Sequence, residues 1–389
     1  MPDMRIPGQA EPEERPPFVA ASEKRALPKA PPLAPNKRVG FAVVGLGRLS
    51  LEEIIPAFGT CKLAKLTALM TGDLSKGRRV AEQYGIPSEA VFAYDDWKGL
   101  AARDDVQVVY VVTPNGLHVE QVKRAAAAGK QVLCEKLMAA NSAEAQEMID
   151  ACKKAGVPLM IAYRCQYEPH NAEVTRMVRS GEFGALKLIE AHNGQVQDTA
   201  MQWRHNRTLA GGGALPDIGI YCLSFARFVT GEEPEDIFAW SWSTPGDARF
   251  KDVEENVAWQ MRFPSGVVAR MACSYGVHEA RPARLYFERA VVQLEPAFAY
   301  KGLRLKVIRR SPDREDVELT EERVMGETNQ FATEIDHMAG CFITGRRPRT
   351  PGEEGLQDHK LMEAIYISAA DNRPVRLERF AGLDKFRNP

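Results

Sequence analysis

The chain of 389 residues lacks an excess of charge of either sign, and it lacks any long uninterrupted apolar run. It carries 51 lysine and arginine side chains against 52 aspartate and glutamate side chains. This balance argues against the basic footprint of a nucleic-acid-binding protein and against an electrostatic membrane patch. No stretch approaches the roughly 18 consecutive apolar residues of a membrane span, and the N-terminus shows no apolar core of a secretory signal. We therefore expect a cytoplasmic protein that binds a small molecule, not nucleic acid or membrane.

Paired cysteines and clusters of metal-ligating residues are also missing. The seven cysteines are an odd number and are spread along the chain without any C-x-x-C pair. This spacing argues against a disulfide framework and against a zinc site, and it suits a reducing compartment. We expect no metal ion in this protein.

A dinucleotide-binding turn is the first positive signal. Residues 39–50 read VGFAVVGLGRLS, an apolar run that ends at Gly45 and Gly47. In a strand-to-helix unit the first glycine makes the tight turn, and the second lets the backbone approach a pyrophosphate at the helix N-terminus. Ser50 replaces the third glycine of the fingerprint, so an ordinary β-turn is the alternative. The cofactor contacts predicted here are Gly45, Gly47, Arg48 and Leu49.

Apolar strand-like runs alternate with helical patterns from residue 37 to residue 164. The alternation predicts an α/β fold with a doubly wound, parallel Rossmann sheet, and we place an NADP-binding domain at residues 39–164. Residues 1–38 contain nine prolines and cannot bury enough apolar surface to fold alone. We expect them to form an extended arm with the reach to cross onto a neighbouring subunit, and an unattached tail is the alternative.

The slot for the adenine ribose lacks the acid that NAD-binding proteins usually place there. Thr71 and Gly72 follow the LTALM run, where Asp or Glu normally binds the ribose 2′-hydroxyl. Without carboxylate repulsion, and with Lys76 close behind, this slot favours a 2′-phosphate. We therefore expect NADP as the cofactor and interpret Asp73 as a helix N-cap. For Lys76 and the neighbouring Arg78 and Arg79, a solvated helix face is the alternative interpretation.

Two further segments end strands at the carboxyl edge of the predicted sheet, where ligands bind in such folds. One is TPNGLH at residues 113–118, whose histidine we expect to be a hydrogen-bonded loop residue and not a catalyst. The other is the Glu-Lys pair after QVLC, where a lysine that finishes a buried strand points its ammonium into the crevice. A merely solvated lysine is the alternative. The cofactor contacts predicted from these segments are Thr113, Pro114, Asn115, His118, Glu135 and Lys136.

Beyond residue 164 the pattern changes to period-two strands and hairpins. It predicts a second, α+β domain at residues 165–350 with an open, mainly antiparallel sheet. Trp240 and Trp242 alternate with serines, so the free face of this sheet is either solvated or covered by a second copy of the chain. We expect a homo-oligomer, a dimer or tetramer, formed through this sheet. Residues 351–389 are predicted to return as a helical segment to the first domain.

A glycine-rich turn opens an amphipathic helix within the second domain. The segment reads GGGALPDIGIYCLSFARFV, and it places Asp217 and Tyr221 four residues apart on one helix face. A helix-terminal charge and a core tyrosine are the alternative interpretation of this pair.

Taken together, these motifs resemble the glucose-fructose oxidoreductase / inositol dehydrogenase / MocA family. The shared motifs are G-x-G after the first strand, PNxxH, Glu-Lys at a strand end and GGG-x-x-x-D-x-x-x-Y, and the resemblance covers nearly all of residues 37–380. YRCQYEP, QWR and a tyrosine at position 221, where most members have histidine, are most similar to the glucose-fructose oxidoreductase branch. Family members usually carry Glu-Lys-Pro with a proline that is commonly cis, whereas this chain has Leu137.

The resemblance implies a set of roles. In this branch a Thr/Ser-Gly turn and a lysine bind NADP, and the proline-rich arm helps to enclose a cofactor that is released slowly. Oxidation of a sugar at C1 sends a hydride to the nicotinamide while a base removes the hydroxyl proton. Tyr221 is the candidate base because the Lys136 ammonium favours its phenolate, and Asp217 orients the sugar or the lysine. Arg164 is predicted to contact both cofactor and substrate, and Tyr167 is predicted to contact the substrate. Trp203 and Arg204 are predicted to contact the cofactor or the sugar. For Tyr167, Trp203 and Arg204, a role in packing is the alternative.

These roles predict an NADP-dependent aldose oxidoreductase that keeps its cofactor bound. It would oxidise one monosaccharide, such as glucose or xylose, to the lactone and reduce a second sugar in a ping-pong cycle. Three alternatives stay open: a sugar dehydrogenase that exchanges NADP, a glycoside hydrolase that uses transient NAD oxidation, and an NADP-sensing regulatory protein. Retention of Lys136, Asp217 and Tyr221 together argues against the last.

Overall fold

The computed structural model describes residues 32–197 and 201–378 of the chain, and its first sheet is entirely parallel. The strands of this sheet are β1 (Val39–Val44), β2 (Ala64–Met70), β3 (Val91–Phe92), β4 (Val108–Val111), β5 (Gln131–Glu135) and β6 (Leu159–Ala162). They pair in the order β3-β2-β1-β4-β5-β6. The central strands β1 and β4 are buried along their whole length, as expected for a sheet that is covered by helices on both faces.

The strand order fixes where a ligand can bind. The chain moves outward from β1 to β3 and then crosses back to β4, so the direction of winding reverses between β1 and β4. In open α/β sheets a crevice forms at the carboxyl ends of the strands at this switch point. The predicted doubly wound Rossmann sheet is therefore confirmed.

Helices cover both faces of the first sheet. Asp73 caps the second of them, because its carboxylate accepts the backbone N–H of Lys76 at 2.9 Å, which confirms the predicted N-cap. The helices are α1 (Ile55–Ala57, preceded by a π-helical turn at Ser50–Ile54), α2 (Leu74–Gln83), α3 (Trp97–Ala101), α4 (His118–Ala127) and α5 (Ser142–Ala155). The next helix, α6 (Pro169–Ser180), packs on the helix Ile220–Thr230 of the second domain.

The second sheet is mixed and mostly antiparallel. Its strands are β7 (Leu186–Val196), β8 (Asp236–Trp242), β9 (Asn256–Arg262), β10 (Val268–Ser274), β11 (Gly276–Ala280), β12 (Ala283–Phe287), β13 (Val291–Glu295), β14 (Arg304–Arg310), β15 (Glu318–Arg323) and β16 (Val375–Arg376). They pair in the order β15-β14-β13-β12-β7-β10-β9-β8-β16, with β11 also on β7, and only β7 and β10 run parallel among these described pairs. The predicted mainly antiparallel sheet is confirmed.

One face of this sheet is packed and the other is open. Residues along β9 and β10 alternate between buried and accessible, and Trp240 and Trp242 on β8 are 51% and 53% exposed. The packed face is covered by α8 (Ile220–Thr230), which follows the short helix α7 (Arg207–Ala210) along the chain. The segment 207–230 is long and apolar enough by composition to cross a membrane, but most of it is buried inside the protein. The expected pairing of the open face with a second copy stays a prediction.

Two helices near the C-terminus tie the sheets together. They are α9 (Gln330–Thr344) and α10 (Gly352–Asp371). The Asp336 carboxylate on α9 accepts the backbone N–H groups of Lys62 and Leu63 beside β2, at 2.7 and 2.8 Å. Helix α10 contacts both α5 and β8. The predicted divisions at residues 164 and 350 stay predictions, and residues 1–31 of the predicted arm lie outside the described residues.

A buried ionic cluster joins α8 to α10. The Arg227 guanidinium is fully buried, and it donates to both oxygens of Glu233 at 2.8 and 2.9 Å and to Asp358. Glu354 lies 3.5 Å away, and the Tyr163 hydroxyl also donates to Asp358, at 2.6 Å. Burial, opposed by Arg227, raises the pKa of Asp358 to about 6. One buried guanidinium therefore contacts three carboxyl groups.

Replacement of Arg227 by Met should destabilise the protein by about 3–5 kcal/mol, because it removes the fully buried cation that is paired with Asp358 and Glu233. Urea denaturation measures this loss. Arg314→Met, which removes an exposed pair with Asp316, is the control and should change the free energy of unfolding by less than about 0.5 kcal/mol. Equal effects of the two variants would contradict the role given to the buried cluster.

Candidate active site

The turn after β1 has the geometry of a pyrophosphate cradle. Gly45 adopts φ = +102°, and a Cβ there would lie 2.7 Å from the carbonyl oxygen of Val112, so only glycine fits. A Cβ on Gly47 would meet nothing within 4 Å, so the backbone is open to a ligand at this point. Ser50, in the place of the third glycine, is buried and donates its hydroxyl to the Gly45 carbonyl at 2.5 Å. The serine hydroxyl therefore stabilises the turn through a buried hydrogen bond.

At the ribose end of the crevice, Lys76 supplies a cation, and Thr71 stands where NAD-binding proteins usually have a carboxylate. Thr71 is buried, and its hydroxyl accepts the backbone N–H of Asp73 at 3.2 Å. The Lys76 ammonium donates to the carbonyl of Leu46 at 2.5 Å, so it lies against the glycine turn. Arg48 pairs with Glu52 and is largely exposed. Gly72 faces the ring of Tyr94, 3.3 Å from where its Cβ would be.

The turn after β4 supplies an unsatisfied polar atom to the same crevice. The Thr113 hydroxyl is buried and has no hydrogen-bond partner among residues 32–197 and 201–378, and its methyl group is 3.2 Å from the ideal Cβ position of Gly45. Pro114 opens a 3-10 turn, in which Asn115 donates its side-chain N–H to the carbonyl of Ala210 at 2.8 Å. An open glycine, a buried hydroxyl and a lysine thus fit a dinucleotide phosphate group.

His118 does not line the crevice, which corrects its predicted contact with the cofactor. The ring is fully buried, with Nδ1 3.0 Å from the carbonyl oxygen of Leu137 and Nε2 2.7 Å from that of Thr113. Burial lowers the pKa of His118, although the backbone carbonyls oppose this. The predicted hydrogen-bonded role is the one that the structure shows, because the ring connects the turn after β4 to the segment after β5.

Lys136 projects from the end of β5 into the junction between the two sheets. Its ammonium donates to the backbone carbonyl of Asp217 at 2.5 Å, lies 3.3 Å from Oδ1 of the same residue, and is 4.8 Å from the ring centroid of Tyr221. Burial opposes its charge, but Tyr221, Asp217 and Glu135 together raise the pKa of Lys136. The Lys136–Leu137 peptide bond is cis. The ammonium is therefore held charged against the tyrosine ring.

Asp217 is a support for the lysine. Its Oδ2 atom accepts the Tyr275 hydroxyl at 2.7 Å and the Nε–H of Arg204 at 3.1 Å. Despite burial, Arg204 and Lys136 hold the pKa of this carboxyl well below its usual range. Because three neighbours occupy the carboxylate, it is suited to orient Lys136, the second of the two roles predicted for it.

The glycine-rich turn sets the position of Asp217 and Tyr221. The Glu254 carboxylate accepts the backbone N–H groups of Gly213 and Leu215 at 2.9 and 3.0 Å, at the start of a π-helical turn (Leu215–Gly219) that continues into α8. Asp217 lies in this turn, and Tyr221 follows at the start of α8. Both face Lys136, as their spacing predicts.

Arg164 packs behind Tyr221 rather than standing free in the crevice. Its guanidinium is 4.7 Å from the ring centroid of Tyr221 and 4.5 Å from that of Tyr300, and it donates to the Phe298 carbonyl at 2.7 Å and to the Gln330 side chain at 2.6 Å. Only 4% of the residue is exposed. These contacts make Arg164 a support for the tyrosine, and its predicted contacts with substrate and cofactor stay predictions.

Tyr167 also has a structural role, which corrects its prediction as a sugar contact. Its hydroxyl lies 3.2 Å from Oγ1 of Thr350, and its ring packs against His337 and the Arg349 guanidinium. The residue is buried, and these contacts anchor the loop between α9 and α10. Trp203, by contrast, stacks on Arg204, with 4.5 Å between the guanidinium and the ring centroid. Because Arg204 donates to Asp217, the QWR motif contacts the site.

Several residues of the site were missed in the sequence. Tyr275 directly follows β10, and its hydroxyl donates to Asp217. Phe298 and Tyr300 lie on the loop after β13, where Phe298 stacks on Tyr221 and Tyr300 stacks on Arg164. No local motif marks these aromatic residues. They are brought to the site only by strand pairing.

Fold and site together define a dinucleotide-dependent oxidoreductase: a glycine turn lies at the switch point of a doubly wound sheet, and a lysine is held by an aspartate against a tyrosine. Comparison with known proteins agrees. Residues 39–163 match the model of the oxidoreductase family with an NAD-binding Rossmann fold, and residues 171–293 match the C-terminal domain of the same family. The chain belongs to the GFO/IDH/MocA oxidoreductase family.

Individual relatives align over most of the chain. The NADP-dependent D-xylose 1-dehydrogenase of Haloarcula marismortui is 31% identical over 89% of this chain and 95% of its own. A second NADP-dependent D-xylose 1-dehydrogenase, from Haloferax volcanii, is 29% identical over 87% of this chain and 99% of its own. The crystal structure of the aldose-aldose oxidoreductase of Caulobacter crescentus in complex with glycerol superposes with a TM-score of 0.83 and 39% identity, over 87% of this chain and all of that one.

The two glycines of the first turn give a matched test of the cofactor site. Gly45→Ala should lower stability by on the order of 1–3 kcal/mol, because it forces a side chain into the left-handed region against the Val112 carbonyl. Gly47→Ala should leave the melting temperature nearly unchanged and weaken dinucleotide binding about tenfold or more, because the added methyl group fills only ligand space. Thermal melts and calorimetric titration measure the two effects. A Gly47→Ala protein that binds the dinucleotide as tightly as the wild type would contradict the assignment.

Proposed function

We propose that this protein is an NADP-dependent aldose oxidoreductase that retains its cofactor, oxidises an aldose at C1 to the aldonolactone and reduces a second sugar to the alditol. The observation that carries the proposal is the Lys136 ammonium, fixed by Asp217 and placed 4.8 Å from the centroid of the Tyr221 ring. The likeness to an aldose-aldose oxidoreductase and to two NADP-dependent xylose dehydrogenases supports a sugar as substrate.

Different residues would bind the cofactor and transfer the proton. Gly45, Gly47 and Thr113 would hold the dinucleotide phosphates, with Lys76 as the cation for the 2′-phosphate. NADP held there would supply the acceptor for a hydride from the sugar. Removal of that hydride from C1 requires loss of the hydroxyl proton, and Tyr221 is the base that takes this proton. The Lys136 ammonium stabilises the negative charge that develops on the neighbouring oxygen atoms.

Reduction of the second sugar uses the same groups in reverse. With the hydride that NADPH would supply to the carbonyl carbon of the acceptor, Tyr221 would return a proton to the carbonyl oxygen, so the two half-reactions would balance without net proton release. This balance suits a site in which the lysine is kept charged by Asp217 throughout the cycle. It also makes an exchange of cofactor between half-reactions unnecessary.

A simple NADP-dependent sugar dehydrogenase is the second candidate. The two haloarchaeal relatives favour it, because both are named as D-xylose 1-dehydrogenases and align over nearly their whole length. The chemistry at Tyr221 and Lys136 would be the same in both cases. Only retention or release of the cofactor distinguishes the two candidates.

Replacement of Tyr221 by Phe should lower the rate of hydride transfer by about two to four orders of magnitude, the usual effect of a lost general base. Lys136→Met should cause a similar loss, and the double variant should lose little more, because the two residues act as one unit. Stopped-flow reduction of NADP by an aldose measures the rates.

The exposed Tyr84→Phe is the matched control and should keep the wild-type rate. Folding of the Tyr221 variant is checked by its melting temperature and by NADP binding, both of which should stay close to wild type. If the Tyr221→Phe protein transfers hydride at the wild-type rate, another group must be the base.

Thr71→Asp should reverse the preference for NADP over NAD, because a carboxylate in this position repels the 2′-phosphate and accepts a hydrogen bond from a 2′-hydroxyl. Thr71→Ser keeps the hydroxyl that accepts the Asp73 N–H and should keep the preference. Lys76→Met should weaken NADP binding without improving NAD binding. Dissociation constants for both dinucleotides measure the change, and a Thr71→Asp protein that still prefers NADP would show that the ribose slot lies elsewhere.

A further inference from the structure

Three buried polar residues stand behind Lys136, on the side away from the crevice. The Tyr110 hydroxyl on β4 lies 2.7 Å from Oε1 of Glu135 at the end of β5 and 3.3 Å from Oε1 of Glu334 on α9. Tyr110 and Glu334 have no exposed surface, and Glu135 is 6% exposed. Two carboxyl groups therefore share one hydroxyl group in the interior.

The hydrogen bonds determine how many charges this group can hold. The tyrosine has one proton, and a carboxylate can only accept. If both carboxyl groups were ionised, the hydroxyl could satisfy only one of them, and two like charges would remain buried close together. A proton on Glu334 resolves this conflict, because Glu334 then donates to the tyrosine oxygen while the tyrosine donates to Glu135.

The second oxygen of each carboxyl group decides which one is charged. Oε2 of Glu135 accepts the backbone N–H of Lys136 at 3.2 Å, whereas Oε2 of Glu334 is buried without a partner among the described residues. Burial raises the pKa of Glu334 well above its usual range; the Glu135 carboxylate beside it also raises that pKa, and Arg164 opposes. Burial raises the pKa of Glu135 as well, but Tyr110, Lys136 and Arg164 oppose that shift.

We propose that the two carboxyl groups carry a single negative charge, placed on Glu135, and that Glu334 is a neutral acid whose proton keeps the site at one net positive charge. Around the site, the cations Lys136, Arg164 and Arg204 then face two anions, Asp217 and Glu135. Ionised Glu334 would cancel the remaining positive charge. That charge favours removal of the hydroxyl proton of the sugar, so the kinetic part of this proposal rests on the proposed function.

The groups that face the pair come from every element packed against it. They are Tyr110 on β4, Cys134 and Lys136 at the end of β5, Arg164, Cys165 and Tyr167 in the turn after β6, and Tyr300 on the loop after β13. In this account Glu135 is a positioning residue that acts through Lys136. Its charge helps to keep the lysine protonated.

Two isosteric variants of the full chain test the charge assignment. Glu135→Gln removes the anion and should shift the alkaline limb of the pH–rate profile to lower pH by on the order of one unit, because Lys136 loses its proton earlier. Glu334→Gln replaces one neutral group by another and should leave the position of that limb within about 0.3 unit. Stopped-flow reduction of NADP by an aldose, with a pH jump on mixing to values between pH 7 and about 12, gives the profiles, with the exposed Glu147→Gln as control. The opposite pattern, or two unshifted profiles, would overturn the proposal.

A second measurement does not depend on activity. A carboxyl group whose pKa is raised by folding contributes stability below its unfolded pKa, and this contribution is lost as pH rises through the folded pKa. The melting temperature of the wild type should therefore fall relative to that of Glu334→Gln as pH rises above about 4.5, the usual pKa of a glutamic acid, until Glu334 is ionised in the folded protein. Melting temperatures that run parallel would show that Glu334 is ionised already, even if no aldose proves to be a substrate.

Discussion

The contact between Lys136 and Asp217 is the interaction on which the site depends. Lys136 directly follows β5 of the first sheet, and Asp217 lies in the turn that opens the helix packed on the second sheet, so this hydrogen-bonded pair links the two sheets at the site. Both partners are mostly buried, and Asp217 is also held by Tyr275 and Arg204. In such surroundings a charged pair is stable only with further hydrogen bonds, and both oxygens of the Asp217 carboxylate accept them.

The fold explains why these residues can meet. Parallel strands bring the glycine turn, the turn after β4 and Lys136 to one edge of the first sheet, at its switch point. The glycine-rich turn, fixed by Glu254, directs the helix with Tyr221 toward the same edge. Arg164, between Tyr221 and Tyr300, then holds the tyrosine ring from behind. The glycine turn, the ammonium and the tyrosine are thus placed by different elements around one crevice.

Sequence reasoning succeeded where the signal is local. The alternating strands, the Gly45 turn, the N-cap at Asp73 and the helical spacing of Asp217 and Tyr221 depend on short-range geometry, and the structure shows all of them. It failed where a side chain is placed by long-range packing. Tyr167 belongs to a motif that suggests ligand contacts, yet strand and helix packing buries it. Tyr275, Tyr300 and Glu334 carry no motif and reach the site from β10, the loop after β13 and α9.

The central claim is that the protein holds NADP through both half-reactions, and the absorbance of the purified full-length protein at about 340 nm tests it most directly. No cofactor is added. The account predicts that one aldose, such as D-xylose or D-glucose, produces the absorbance of about one reduced nicotinamide per chain, and that a second, acceptor sugar then removes it. A protein that shows no change until NADP is supplied, and that then accumulates free NADPH with each turnover, would contradict this account and favour the exchanging dehydrogenase.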